Sequence, residues 1–417
     1  MWSPDERTLQ AGAGRRPRRR PRRRNRWAGL LLAVALAAGC AGAGAGDAAV
    51  VAPTLDPAAA PTLDPAGPTA SEVTMEPGPP GRRTVAVGYE DVVGSDAGPA
   101  DIAGTLDAVD ADTVAVSAGR ADWTSFRWDG HEERWADPTA DGEQDPFTRT
   151  VSALGAERDV VAVVDVFAPR HIEEHPQSAA LDADGEPSEF QVSIVELTEG
   201  EHGDALVAMV AELAARDDVD AVSLTELHYD DAGLGEDDEA AFVADTGADG
   251  WPRDGDGDVD WRDPDVADWR SHRVAGFVER AAKAAHENGT ALLVDVRSPR
   301  DGGTEVHGQD YGLLLEHADR LVIWHYPGLR TGDGSSWSVS EVADEALALA
   351  RAADPEATLD RFVLSVGLWA QDDAVLGAEE LRAELVAADE AGLARTWVTP
   401  WSLLDEEHAE AVADAWE

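Results

Sequence analysis

Carboxylates recur at the ends of apolar runs in this sequence. Glu90 and Asp91 follow the first such run, Asp122 comes shortly after the second, and Asp165 sits near the end of the third (VVAVVDV). Glu226 follows the fourth, and Asp295 interrupts the fifth (LLVDVR). Aromatic and histidine side chains accompany them at Trp123, His171, His228, Tyr229, His325, Tyr326, Trp369 and Trp401. Two carboxyls flanking one bond are what glycoside cleavage asks for: one protonates the leaving oxygen and the other attacks or activates water. Flat rings stack on sugar faces. Glu226, Asp295 and Asp165 are therefore the candidate catalytic groups, and Glu90, Trp123, His171, Tyr229, His325, Trp369 and Trp401 the candidate substrate contacts. Each also has a plainer reading. Glu226 could close a salt bridge, Asp295 could pair with Arg297, His325 could be hydrogen-bonded in a barrel wall, and the tryptophans could fill a core. Alternation along the strand puts Glu226 on the side of Val222 and Leu224, so its inward aim requires the strand to twist or end there.

The elements that must position these groups alternate in type. Strands are predicted over Thr84–Gly88, Thr113–Ser117, Val160–Val166, Ala221–Thr225, Ala291–Val296, Leu321–Trp324, Phe362–Gly367 and Thr396–Thr399. Helical patterns follow over Pro99–Val109, Phe147–Arg158, Asp204–Arg216, Trp269–Asn288, Tyr311–His317, Val339–Ala353, Ala378–Ala391 and Glu406–Trp416. Near-continuous apolar strands separated by amphipathic helices imply a parallel sheet covered on its faces. Eight such units predict an α/β fold of the (β/α)8 TIM-barrel type over residues 83–417, with active-site residues on the loops that follow the strands. The longest of these, Phe167–Gly203 and Glu226–Asp268, follow the third and fourth strands and build up one face. The alternative, a doubly wound open sheet, would favour a glycine-rich phosphate loop after the first strand. Gly88-Tyr89-Glu90-Asp91 is not one.

Composition narrows the partners. The 417 residues carry 33 Lys+Arg against 83 Asp+Glu, a formal net charge of -50. Such a surface repels nucleic acid and anionic lipid alike. The bias reverses over residues 1–39, where ten arginines outnumber Asp5 and Glu6, a local +8 that leaves -58 on the rest. After the arginines comes the apolar run Trp27–Gly39, too short for the roughly 20 residues of a spanning helix but suited to a signal-peptide core. Residues 40–82 are rich in Ala, Gly and Pro and read as an extended tether.

Other chemistries lack their signatures. No His-x-His pair follows the first strand, no His-Glu-x-x-His occurs, and no Gly-x-Ser-x-Gly elbow appears. The run from Asp254 to Asp260 alternates carboxylates as a calcium loop does, yet Val259 stands where that loop needs glycine and Asp265 where it needs glutamate. It reads as an acidic solvated loop, and nothing in the sequence asks for a cofactor or a metal.

Two resemblances complete the expectations. Ala37-Ala38-Gly39-Cys40 resembles the bacterial lipobox, with Ala37 in the usual leucine position; this implies that Cys40, the single cysteine, becomes a lipidated N-terminus on the outer face of the cell membrane. A plain cleaved signal and a retained anchor are the alternatives. The segments VDAVSLTELHY (219–229), LLVDVR (292–297), LVIWHYPG (321–328) and VLSVGLWA (363–370) resemble bacterial glycosyl hydrolase-like barrel proteins, many of them exported. These are distantly similar to the hydrolase domain that cleaves partly deacetylated poly-N-acetylglucosamine. There, strand four opens with an Asp and ends in a carboxylate assigned the catalytic role; Asp220 and Glu226 match those places, with Glu standing for Asp. Retaining enzymes of the large barrel clan carry a second Glu at the end of strand seven, where this chain has Gly367-Leu368-Trp369. The second carboxylate is then Asp165 or Asp295, or the substrate's own N-acetyl group attacks, or the protein binds glycan without cleaving it. The expectation is a membrane-anchored glycoside hydrolase acting on an extracellular or cell-wall polysaccharide, with a non-catalytic glycan-binding or scaffold lipoprotein as the alternative.

Overall fold

The computed structural model describes residues 82–417 apart from 94–97, 135–144, 183–184, 230–231, 236, 301–306 and 331–336. The predicted signal segment, Cys40 and the tether up to residue 81 lie outside the described residues. Eight parallel strands form the centre: β1 (Arg83–Val87), β2 (Thr113–Arg120), β3 (Asp159–Asp165), β4 (Ala221–Thr225), β5 (Ala291–Val296), β6 (Arg320–His325), β7 (Phe362–Gly367) and β8 (Thr396–Thr399). Each pairs with the next in chain order, and β8 returns to β1 with Thr396 opposite Arg83, so the sheet closes into a (β/α)8 barrel. Closure leaves these strands no open edge and covers both faces, which is why they read as unbroken apolar runs.

Four strands, β4, β5, β7 and β8, have the predicted bounds. β2 departs from its predicted end at Ser117. The ladder shifts between Ser117 and Gly119, continues to Arg120, and folds back as the short antiparallel strand Trp123–Thr124. Gly119 makes this possible: its φ is 90°, and a Cβ there would lie 2.4 Å from the Trp123 carbonyl oxygen. The bulge sets Arg120 opposite Asp165. Among the helices, Val339–Ala353 matches its prediction, opened by a reciprocal cap between Ser338 and Glu341. The helix predicted from Trp269 starts earlier, at Pro264, because the Asp263 side chain accepts the Asp265 amide and Pro264 is already set for a first turn.

Alternate strand residues face the barrel axis. Ala115, Val161, Ala221, Leu293, Val322 and Trp397 form an inner cluster separate from the larger layer between strands and helices. Small residues on several strands leave the room that the Trp397 indole fills, so the interior is packed and not a pore.

The two long loops carry structure of their own. Short helices occupy Pro169–Glu174, Ile194–Glu199 and Asp238–Thr246. A three-stranded antiparallel sheet draws on both loops, its central strand Ala179–Asp182 pairing with Pro187–Val192 from the same loop and with Ala232–Leu234 from the next. The fully buried Asp238 carboxylate joins them, accepting the amides of Ile194 (3.1 Å), Val195 (2.8 Å) and Gly235 (2.6 Å). Burial pushes that carboxyl up to about 6, opposed by the three amides.

Candidate active site

The site begins at the C-terminal end of β4. Ser223 lies on the axial side of that strand, while Val222 and Leu224 pack outward in the helix-facing layer. Continued alternation would send Glu226 outward too. Instead the strand ends at Thr225, and Glu226 adopts a φ of 63°, a left-handed backbone that a non-glycine residue rarely takes. The chain turns at once, closed by the His228 amide donating to the Glu226 carbonyl at 2.9 Å. The Glu226 side chain then meets His228, with Nε2 2.9 Å from Oε2. Its carboxylate lies near enough to raise Asp165, Asp295 and Tyr326, so it belongs to the same mouth.

Asp295 stands on the neighbouring strand. It is 8% exposed and accepts the Ser223 hydroxyl at 2.8 Å on Oδ1 and the Trp324 indole N–H at 3.1 Å on Oδ2. Burial raises it to about 6, the hydrogen bonds from Trp324, Ser223 and Thr225 oppose that rise, and Glu226 adds to it. Asp165, on the other side of β4, is pushed up to about 7 by loss of hydration, against the pull of Arg120 and with the repulsion of Glu226. Three carboxyls from three adjacent strands thus share one mouth.

An aromatic wall continues from Asp295. Trp324 stacks on Tyr326 at 5.6 Å and 15°, and Tyr326 meets Trp369 at 5.5 Å. Arg297 lies over the Trp324 ring at 5.0 Å. Tyr326 occupies the place of a side chain at 367: a Cβ on Gly367 would lie 2.3 Å from its ring, so glycine is needed there. Burial and the nearby Asp295 and Glu226 hold the Tyr326 phenol well above its usual range, so it stays a neutral donor.

The remaining predicted contacts are dispersed. His325 points away from the axis, fully buried, its Nε2 2.8 Å from Glu384 on the helix Ala378–Glu390 and its Nδ1 accepting from Arg330 at 2.8 Å. Tyr229 is buried, its phenol shifted upward by burial and by Asp238, with Arg270 opposing. His171 belongs to the first insertion, where the Asp122 carboxylate accepts the Arg170 and His171 amides and the imidazole Nε2 lies 3.0 Å from Glu196. Glu90 is exposed on the short helix Tyr89–Val93, beside Asp91, whose carboxyl accepts the Gly88 amide and meets Ser402. Trp401, in the turn after β8, is half-buried, and Trp123 is 37% exposed beyond β2. The acidic loop folds on itself: Asp254 Oδ1 accepts the Asp256 and Asp258 amides, and among the described residues no three His, Cys, Asp or Glu side chains converge as metal ligands would.

Sequence reasoning missed Trp324, and it noted Tyr326 beside His325 without making it a candidate contact. The signal for both was present, since Val322, Trp324 and Tyr326 share one parity.

Comparison with solved structures places this architecture. The PgaB (BpsB) glycoside hydrolase domain from Bordetella bronchiseptica superposes with a TM-score of 0.58 at 15% identity over 81% of this chain and 99% of that one. The chain has the fold of a glycoside hydrolase domain. The catalytic domain of β-amylase from Paenibacillus polymyxa (TM-score 0.56, 12% identity, 80% and 97% covered) and the endo-1,4-β-mannanase from Rhizomucor miehei (0.50, 12%, 82% and 95%) share the barrel. In sequence the chain matches no protein-family profile and no curated protein.

The left-handed Glu226 yields a stability prediction. Glu226→Gly and Glu226→Ala both remove the carboxyl, but only glycine takes a positive φ without penalty. The glycine variant should therefore be the more stable of the two by about 1 kcal/mol in urea unfolding; equal midpoints would show that the backbone there is unstrained.

Proposed function

We propose that this protein is a glycoside hydrolase that works outside the cytoplasm on a polysaccharide, tethered through a lipidated Cys40. The observation that carries the reading is the convergence of Glu226, Asp295 and Asp165 at the C-terminal mouth of the barrel, bordered by the Trp324–Tyr326–Trp369 wall. Glu226 keeps one oxygen on His228 while its side chain remains 21% exposed, so it is the carboxyl open to a ligand and serves as general acid. Asp295, fixed by three hydrogen-bond donors on β4 and β6, is the partner that attacks or activates water, and Asp165 holds a proton beside them. Loss of hydration raises Asp165 to about 7 and Asp295 to about 6, so a protonated Asp165 and an ionised Asp295 can coexist here near neutral pH. The aromatic wall supports a chain of sugar rings as the ligand. The resemblance of segments 219–229 and 292–297 to the hydrolase domain that cleaves partly deacetylated poly-N-acetylglucosamine makes such polymers the first substrates to try.

Reducing-end release from such polymers is the assay. Glu226→Gln should lower kcat by about 10²–10⁴-fold with the fold intact; full activity in that variant would remove Glu226 from the reaction. Asp295 acts as its carboxylate, so kcat/KM of the wild type should fall as the pH drops below about 6, and a profile flat to pH 4.5 would exclude it as base or nucleophile. Cys40→Ser should move the protein expressed in bacteria from the membrane to the soluble fraction, whereas retention on the membrane would overturn the lipid anchor.

A further inference from the structure

The segment after β5 returns to the mouth at residues 307–311 and grips both catalytic strands. Its centre is Gln309, 1% exposed, whose side chain spans two loops. The amide Nε2 donates to the Leu227 carbonyl at 2.7 Å and to the Asp295 carbonyl at 3.2 Å. Its Oε1 accepts the Arg297 amide at 2.8 Å. The contacts therefore fall on the residue after Glu226, on Asp295 itself, and on the residue two beyond it. The same segment adds the His307 carbonyl, which accepts the Tyr229 amide at 3.1 Å, and the Tyr311 hydroxyl, which donates to the Arg297 carbonyl at 2.6 Å.

This placement has a mechanical consequence. Glu226 sits in a conformation that costs energy, and such a residue relaxes unless its neighbours are held. The Leu227 carbonyl is the next acceptor along the chain after that of Glu226, and a buried amide fixes it. An uncharged glutamine is suited to the task, since it offers both donor and acceptor without adding a fourth charge to a mouth that already crowds three carboxyls.

We propose that Gln309 is a positioning residue: it clamps Leu227 to Asp295, holding Glu226 in its left-handed conformation and fixing the separation of the two carboxyls. Its part in catalysis rests on the function proposed above; its part in holding the backbone does not. Two readouts therefore test it. The first is the thermal gap between Glu226→Gly and Glu226→Ala, measured with Gln309 present and again in the Gln309→Met background. With the clamp removed, Leu227 is free, residue 226 relaxes, and the gap should shrink to less than half. The second is turnover of Gln309→Met on the polymer that the wild type cleaves, where kcat should fall about 10–100-fold while KM stays within about twofold, since the reacting groups move but the aromatic wall does not. Should the methionine variant not fold, Gln309→Glu keeps the acceptor for the Arg297 amide and loses the donors to Leu227 and Asp295, and the same two measurements apply. An undiminished gap overturns the clamp, and so does an unchanged kcat in a folded variant. A wild type that cleaves none of the polymers removes the proposed function, and the thermal gap then decides the clamp alone.

Discussion

Three carboxyl groups cannot stand as three anions in a mouth from which much of the water has been removed. Loss of hydration, with a smaller contribution from repulsion by Glu226, drives the proton affinities of Asp165 and Asp295 up to about 7 and 6. Around this constraint the wall is built from groups that donate hydrogen bonds. Ser223, Thr225 and the Trp324 indole satisfy Asp295, and Arg120 opposes the rise at Asp165. Tyr326 stays a neutral phenol because burial, and after it the nearby Asp295 and Glu226, disfavours its anion. The mouth thereby holds proton donors and acceptors side by side, which acid–base cleavage of a glycosidic bond needs.

A parallel barrel delivers strand ends to one face but does not enclose them. The insertions after β3 and β4 raise that face, and they hold each other through backbone pairing and the Asp238 carboxylate. From the insertion sheet the Gln191 side-chain amide donates to the His228 carbonyl, one turn from Glu226. From the other side Gln309 takes the Leu227 carbonyl. The two residues after Glu226 are thus each held by a glutamine side-chain amide, that of Gln309 buried and that of Gln191 half-buried. The fold spends stability on a left-handed residue and a crowded carboxyl cluster, and both lie where chemistry is expected.

Much of the architecture was legible in the chain. Four of the barrel strands have their predicted bounds because strands covered on both faces leave an unbroken apolar signature. The candidate carboxyls were found for a related reason: an Asp inside LLVDVR or a Glu directly after AVSLT interrupts a pattern whose cause is burial. His325 shows the limit of that reading. It follows Trp324 by one residue, so it falls on the opposite side of the wall, and its acid partner comes from a helix 59 residues further along the chain. Tyr326, two residues from Trp324, was the better choice on parity. At β2 the register shifts between Ser117 and Gly119, which no local pattern announces, and a shift of one residue exchanges the two faces of a strand.

By itself, the sequence determined the eightfold alternation of strand and helix, and with it the barrel and the end of it where the carboxyls gather. These follow from local periodicity and from which side chains can be buried. Which way Glu226 points was decided only in the tertiary structure. Alternation directs it outward; the left-handed turn after Thr225 brings it in, and that turn is held by contacts to residues as distant in the chain as Gln309. Proton affinity is likewise a property of the assembled mouth, since the burial that raises it and the charges that adjust it come from β2 to β5 and have no common neighbourhood until the barrel closes.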